Sequence, residues 1–227
     1  MSNGFIGEFL GTMVLILLGD GVVANVLLAK SKGQNSGWIV ITAGWGFAVL
    51  CGVMVGVAAG SAGHLNPAVT LAFFAAGSFP AANVAPYIAA QMLGAFAGAV
   101  LVYLAYLPHW KPTEDKGLKL GVFCTGPAIR NLPANCLTEI IGTFVLVFVV
   151  IAIGAKAVGA TGVLGPLMVG LLVWALGVSL GGPTGYAINP ARDLGPRIAH
   201  ALLPIPEKGG SDWSYAWVPV AAPIIGG

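Results

Sequence analysis

Long apolar stretches dominate the sequence, and most approach the roughly 20 residues that a helix needs to cross the hydrocarbon core of a membrane. Six such stretches occupy residues 4–28, 37–59, 83–107, 135–153, 162–180 and 214–227. Runs such as TFVLVFVVIAIGA lack the alternation of a membrane β-barrel strand. The pattern therefore predicts an all-α integral membrane protein with six transmembrane helices. The last stretch is shorter than the others, and we expect the sequence to stop where order stops. No basic segment precedes the first stretch, so we expect a retained span rather than a cleaved signal.

Two further apolar segments, residues 66–76 and 189–202, are too short to span a membrane. Both begin with Asn-Pro-Ala, and the motif residues are Asn66, Pro67, Ala68, Asn189, Pro190 and Ala191. Asparagine is a favoured N-cap and proline is favoured at the first helical position, so each motif predicts the start of a helix. One such motif alone is typical of an ordinary helix cap. Two motifs at matching places predict paired half-helices.

The two halves of the chain resemble each other beyond these motifs. Glu8 and Glu139 each stand three residues before Gly-Thr and an apolar run. Each half holds three spans, an odd number, so the second half must be inverted relative to the first. We therefore predict one membrane channel domain over residues 1–227, with inverted repeats at about 4–107 and 135–227. Short paired helices in such repeats indicate a transport pathway at the repeat interface.

Composition narrows the function further. Hydrophobic residues make up 57% of the chain and charged residues only 8%, too few to cover a water-facing surface. A formal net charge of +2 does not favour nucleic-acid binding. The three cysteines show no metal-binding spacing, and we find no nucleophile–base set or phosphate loop. We expect no enzyme activity, no metal and no cofactor.

The six spans, the two glutamate helices and both Asn-Pro-Ala segments together resemble the aquaporin (major intrinsic protein) family over essentially the whole chain. The segment GPTGYAINPARDLGPR, with Asp193 and Arg197 after the motif, is similar to the glycerol-facilitator branch. The resemblance implies a homotetramer with one pore per subunit. It also implies that the two half-helices enter from opposite faces and meet at mid-membrane, with both chain termini in the cytoplasm. The loop lysines and arginines would then lie mostly outside, against the positive-inside rule.

The resemblance further implies a selectivity filter made of Trp45, Gly177, Tyr186 and Arg192. The five donors of an arginine suit adjacent hydroxyls of a polyol, and its charge repels cations. A glycine would open one wall, and Tyr186 departs from the phenylalanine of familiar glycerol facilitators. The alternatives are an interfacial, snorkelling Arg192 and a Trp45 packed against lipid or core.

The residues before each motif are expected to run extended, with backbone carbonyls lining the pathway. In this set are Ala62, Gly63, His64, Leu65, Gly185, Ala187 and Ile188, together with Tyr186. The amides of the two motif asparagines can donate to a passing oxygen, while the helix N-termini disfavour cations.

Charged residues inside spans are costly and usually functional. We expect Glu8 and Glu139 to bind free N–H groups of the broken loops, although Glu8 is near enough to a helix end to snorkel. His64 is expected to anchor its loop, and Asp193 and Arg197 to fix the second half-helix. For Asp20 the sequence leaves two options, a vestibule or a pairing across an interface.

The function expected is a passive channel for glycerol and similar small uncharged solutes, with water also permeating and ions excluded. The partners are those solutes, the lipid bilayer and further copies in a homotetramer. One alternative is a channel tuned to water, protonated lactic acid, urea or dihydroxyacetone. A proton-coupled transporter is a third reading, with Glu8, Glu139 and Asp20 as the acidic candidates within the main spans. Short termini and compact loops suggest a prokaryotic plasma membrane.

Overall fold

The computed structural model describes residues 3–159 and 162–227, which fold into helices joined by loops. The helices are α1 (Asn3–Leu27), α2 (Trp38–Ala58), α3 (Pro67–Ala75), α4 (Ala81–Ala105), α5 (Leu107–Trp110), α6 (Lys116–Phe123), α7 (Leu132–Gly154), α8 (Leu164–Leu180), α9 (Pro190–Leu202) and α10 (Val218–Gly226).

Each predicted span coincides with a helix, and the predicted fold class is confirmed. Helices α1, α2, α4 and α7 are long and apolar enough to cross a membrane. Helix α8 is apolar over 17 residues. Helix α10 begins at Val218, a few residues later than predicted, because turns occupy the preceding segment.

Glycines let the long helices approach closely. A Cβ atom added to Gly94 of α4 would lie 2.3 Å from the carbonyl oxygen of Phe9 in α1. Gly46 of α2 and Gly170 of α8 face each other in the same way, each at 2.7–2.8 Å from the other's carbonyl. Small residues are what membrane helices use for such contacts, since lipid gives no hydrophobic drive for helix association.

The two half-helices begin where the Asn-Pro-Ala motifs predict. Asn66 caps α3 by accepting a hydrogen bond from the Ala68 amide at 2.9 Å. Asn189 caps α9 in the same way through Ala191 at 3.0 Å. In both helices proline occupies the first turn, where no backbone N–H is needed.

The long connection between the halves, residues 108–133, is partly helical. It contains most of α5 and all of α6. Asp115 caps α6 by accepting from two backbone amides, and one face of this helix buries Val122 and Phe123. The buried face also includes Lys119, whereas Leu118 is exposed, so the hydropathy pattern of this short segment does not separate a helix from a loop.

Three basic residues outside the long helices hold neighbouring segments of the chain. Lys119 is buried and donates to the carbonyl of Pro206 at 2.5 Å. Lys208 donates to three carbonyls at and beyond the end of α9, and Arg130 pairs with Asp212. Helix α6 and the loop after α9 are thereby tied together.

Candidate transport pathway

A cavity of about 570 Å³ runs between the long helices and the two Asn-Pro-Ala loops. Its helical wall is apolar. That wall includes Val49 and Val53 of α2, Leu146 and Val150 of α7, and Val169 and Val173 of α8. The opposite wall is backbone and polar, and it is formed by residues 62–66 and 186–189. A molecule in the cavity therefore meets hydrocarbon on one side and hydrogen-bonding groups on the other.

The two motif asparagines cross-link the half-helices. The Asn66 side-chain amide donates to the carbonyl of Ile188 at 2.8 Å, and that of Asn189 donates to the carbonyl of Leu65 at 2.8 Å. Each carbonyl belongs to the residue directly before the other asparagine. One N–H of each amide is thus engaged, and an amide carries two.

Two buried glutamates bind the loops through consecutive backbone amides. Glu8 accepts from the amides of His64 and Leu65 at 3.0 and 2.7 Å. Glu139 accepts from those of Ala187 and Ile188 at 3.0 and 2.8 Å. Carboxylates satisfy N–H groups that have no secondary-structure partner at this depth.

The loops are not simply extended, which corrects the sequence prediction. Left-handed φ values occur at Leu65 (50°), Tyr186 (39°) and Ile188 (43°), and at the glycines 63 and 185. Such residues interrupt the alternation of peptide groups, so that neighbouring N–H groups point the same way and form a nest for an anion. The anion here is the glutamate side chain.

The same geometry directs the loop carbonyls. In a trans peptide the C=O points opposite to the N–H, so the carbonyls of Gly63, His64 and Tyr186, like that of Ala187, turn away from the glutamates. These residues border the cavity, as does Ala62. Gly185 does not border it, and its amide bonds back to Gly181 at 2.9 Å.

Each glutamate has an additional side-chain partner that the sequence did not single out. Gln91 of α4 donates to Glu8 at 2.7 Å, and Thr184 donates to Glu139 at 2.6 Å. The His64 ring bonds to Thr70 and packs among aromatic rings, as expected of a loop anchor. Gln91 lies in an apolar run without motif character, and Thr184 lies in the segment GPTGYAINPARDLGPR, where sequence reasoning assigned it no role.

Three of the four expected filter residues converge at one part of the cavity. The Arg192 guanidinium lies over the Trp45 ring, 3.9 Å from its centroid, and Tyr186 borders the same space. Arg192 also donates to the carbonyl of Phe123 at 3.3 Å. Phe123 reaches this place because α6 folds over the filter, which the sequence did not indicate.

Gly177, the fourth expected residue, does not border the cavity. A Cβ atom added there would lie 2.7 Å from the Cζ and Oη atoms of Tyr186. The space that a side chain would take is occupied by the tyrosine ring. Gly177 thus acts on the opening through Tyr186 and does not itself form the wall.

Asp20 faces Arg192 within the same chain and does not border the cavity. Its Oδ1 atom lies 3.6 Å from Arg192 Nη1, and the aspartate is completely buried. No interface between chains is needed for this pairing.

Asp193 and Arg197 fasten α9 to the connection between the halves. Asp193 accepts from the amide and the hydroxyl of Thr125, both at 2.7 Å, and from Arg197. Arg197 also donates to the carbonyls of Thr125 and Ser211. Arg192, one residue before Asp193, is thereby held at a fixed height in the pathway.

Known proteins are similar to this chain in both sequence and architecture. The family described as Major intrinsic protein matches residues 1–227. A probable glycerol uptake facilitator protein of Thermotoga maritima is 65% identical over 98% of this chain and 94% of its own length. The glycerol uptake facilitator protein of Bacillus subtilis is 60% identical over 99% of this chain and 81% of its own length. The X-ray structure of the aquaglyceroporin from Plasmodium falciparum superposes with a TM-score of 0.88 at 33% identity, covering 99% of this chain and 91% of that one. This membrane-spanning chain therefore belongs to the major intrinsic protein family.

Proposed function

We propose that the protein is a passive channel for glycerol and similar small uncharged solutes, and that water permeates with them. The observation that carries this proposal is the two-sided cavity, apolar along the helices and polar along the loops. A glycerol molecule has carbon-bound hydrogens on one side of its backbone and hydroxyls that need partners on the other. The names of the relatives point to the same solute.

The filter proposed for this channel consists of Arg192, Trp45 and Tyr186, with Gly177 behind the tyrosine. Arg192 offers donors to two hydroxyls, and the aromatic faces contact carbon. The motif asparagines, which line the cavity, each offer one further N–H, and the carbonyls of residues 63, 64, 186 and 187 accept hydrogen bonds from hydroxyls. Positive charge at Arg192 and at the N-termini of α3 and α9 disfavours cations.

The test is stopped-flow light scattering on proteoliposomes that contain the full chain. Fast, unsaturable glycerol uptake without hexitol uptake supports the proposal. A Val53→Trp substitution fills the cavity from α2 and should abolish glycerol uptake. Met54→Trp is the matched control, because Met54 is the next residue of the same helix and 45% exposed on its outer surface.

The competing functions give different results in the same assay. Glycerol uptake that occurs only when a proton gradient is imposed across the vesicle membrane would overturn the channel in favour of a coupled transporter. Rapid water flux without glycerol flux would overturn the choice of solute and place the narrowing at Tyr186. Urea, dihydroxyacetone and protonated lactic acid in parallel traces define the solute range.

We further propose a homotetramer in a prokaryotic plasma membrane, with inverted repeats at residues 4–107 and 135–227. Large apolar side chains on the outside of the single chain, among them Phe47, Phe144 and Phe148, support contacts with lipid or with further copies. The reciprocal glycine contact of α2 with α8 supports the repeat, since both helices hold the same place in their halves. Native mass spectrometry in detergent tests the tetramer.

A further inference from the structure

Asp20 lies on α1, outside every motif described above, and the proposed pathway assigns it no role. Its side chain is 0% exposed. Among the residues that the structure describes, neither of its carboxylate oxygens has a hydrogen-bond partner. A buried carboxylate is costly in a membrane helix unless a positive charge compensates it. The nearest candidate is Arg192, at 3.6 Å.

The turn of α1 that carries Asp20 supports both side chains of the filter wall. Gly19 lies against the Trp45 ring so closely that an added Cβ would be 2.2 Å from it. Trp45 in turn lies under the Arg192 guanidinium. One face of the Arg192 guanidinium therefore lies on the Trp45 ring, which packs against Gly19. The Nη1 atom of Arg192 is 3.6 Å from Asp20 Oδ1.

The other charges near the filter are already paired. Asp193 binds Arg197 at 2.8 Å, and both side chains are completely buried. Among the described residues, the Arg192 guanidinium has, apart from Asp20, one hydrogen bond to the Phe123 carbonyl at 3.3 Å and one cation–π contact with the Trp45 ring. Asp20 thus completes a buried set of two acids and two arginines whose formal charges balance.

We propose that Asp20 is a specificity-determining positioning residue of the filter, which holds Arg192 against the wall and balances its charge. This inference rests on the proposed function. Without the carboxylate, Arg192 is free to swing into the opening, and bulky glycerol is hindered more than water. Without the arginine, the Asp20 carboxylate is exposed to the pathway as an unpaired negative charge, which attracts cations.

The first experiment compares glycerol and water permeability in proteoliposomes. Asp20→Asn keeps the shape and removes the charge, and we expect the glycerol-to-water ratio to fall by about fivefold or more. Asp20→Val is a second, apolar replacement with the same expected result. Thr12→Val is the matched control, since Thr12 is also fully buried on α1 with an unpartnered hydroxyl among the described residues. An unchanged ratio in both Asp20 variants overturns the proposal.

A double-mutant cycle tests whether Asp20 acts through Arg192. In the Arg192→Ala background, Asp20→Asn should change the ratio less than about twofold, because no guanidinium is left to hold. An equal drop in both backgrounds would mean that Asp20 matters only to the packing of α1, and would overturn the proposal.

A cation-flux assay gives a measurement that a purely structural role of Asp20 would leave unchanged. Potassium flux, followed with a potential-sensitive dye, should rise in Arg192→Ala and return to the wild-type level in Arg192→Ala/Asp20→Asn. A leak that persists in the double variant overturns the proposal. This assay also separates the two hypotheses: wild-type protein that passes no glycerol refutes the proposed function, and the potassium traces still report on Asp20.

Discussion

Gly177 offers the sharpest test of what determines the width of the pathway at the filter, because a methyl group added there contacts the Tyr186 ring. In Gly177→Ala the new Cβ would lie 2.7 Å from the Tyr186 ring and 2.9 Å from Thr42 Cγ2. Carbon atoms in contact prefer about 3.5–4.0 Å, so the ring must retreat by roughly 1 Å. Helix α8 cannot yield easily, since Gly170 already touches Gly46 of α2.

The ring is the part that moves. Turning an aromatic side chain by about 30° from its preferred rotamer costs ~0.5–1.5 kcal/mol, less than separating two packed helices. Tyr186 stands between α8 and the cavity, so its retreat narrows the cavity. Pore diameter determines which solute passes, and we expect glycerol permeability to fall about tenfold, equivalent to ~1.4 kcal/mol, with water falling less.

The assay is the proteoliposome measurement of glycerol and water flux with equal protein incorporation. Gly182→Ala is the control, because an added Cβ there lies more than 4 Å from every atom of the described residues. Gly177→Ala/Tyr186→Leu should recover glycerol flux, since the shorter side chain no longer fills the space. Unchanged glycerol flux in Gly177→Ala, or no recovery in the double variant, would refute the reasoning.

Three further predictions concern stability in detergent. Glu139→Gln places an amide against the N–H groups of the second loop and should cost about 2–4 kcal/mol, seen as a lower melting temperature; an unchanged value would contradict the anchoring role. Lys208→Met removes donors to three carbonyls at and just beyond the end of α9 and should cost about 1 kcal/mol, measured by the same melt; an unchanged melting temperature would contradict this role. Gly46→Val should abolish recovery of monodisperse protein in size-exclusion chromatography, because its side chain meets the Gly170 carbonyl; normal recovery would show that α2 and α8 can separate.

The sequence predicted the features that are encoded locally. The N-caps at Asn66 and Asn189 depend on the next few residues only, and length with hydropathy suffices for the spans. The glutamates were found because a duplicated pattern marks both. Each of these signals can be seen in one sequence, from neighbouring residues or from its internal repeat.

The remaining features depend on which helices become neighbours. Asp20 of α1 meets Arg192 of α9 only after α6 has packed against both helices, and no spacing in the sequence reports that contact. The position of Gly177 behind Tyr186 depends on the left-handed backbone of the second loop, which a non-glycine residue adopts only under tertiary constraint. Helix α6 was missed because its amphipathic face is barely two turns long.

The crossed hydrogen bonds of the two asparagines have a consequence for biogenesis. Translation delivers Asn66 well before Asn189, so the Ile188 carbonyl that receives the Asn66 amide does not yet exist when the first half-helix is synthesised. The two crossed hydrogen bonds can form only after the second half-helix has been inserted beside the first. The pathway is accordingly among the last parts of the molecule to form, and an isolated amino-terminal half would hold an unfinished loop at the centre of the membrane.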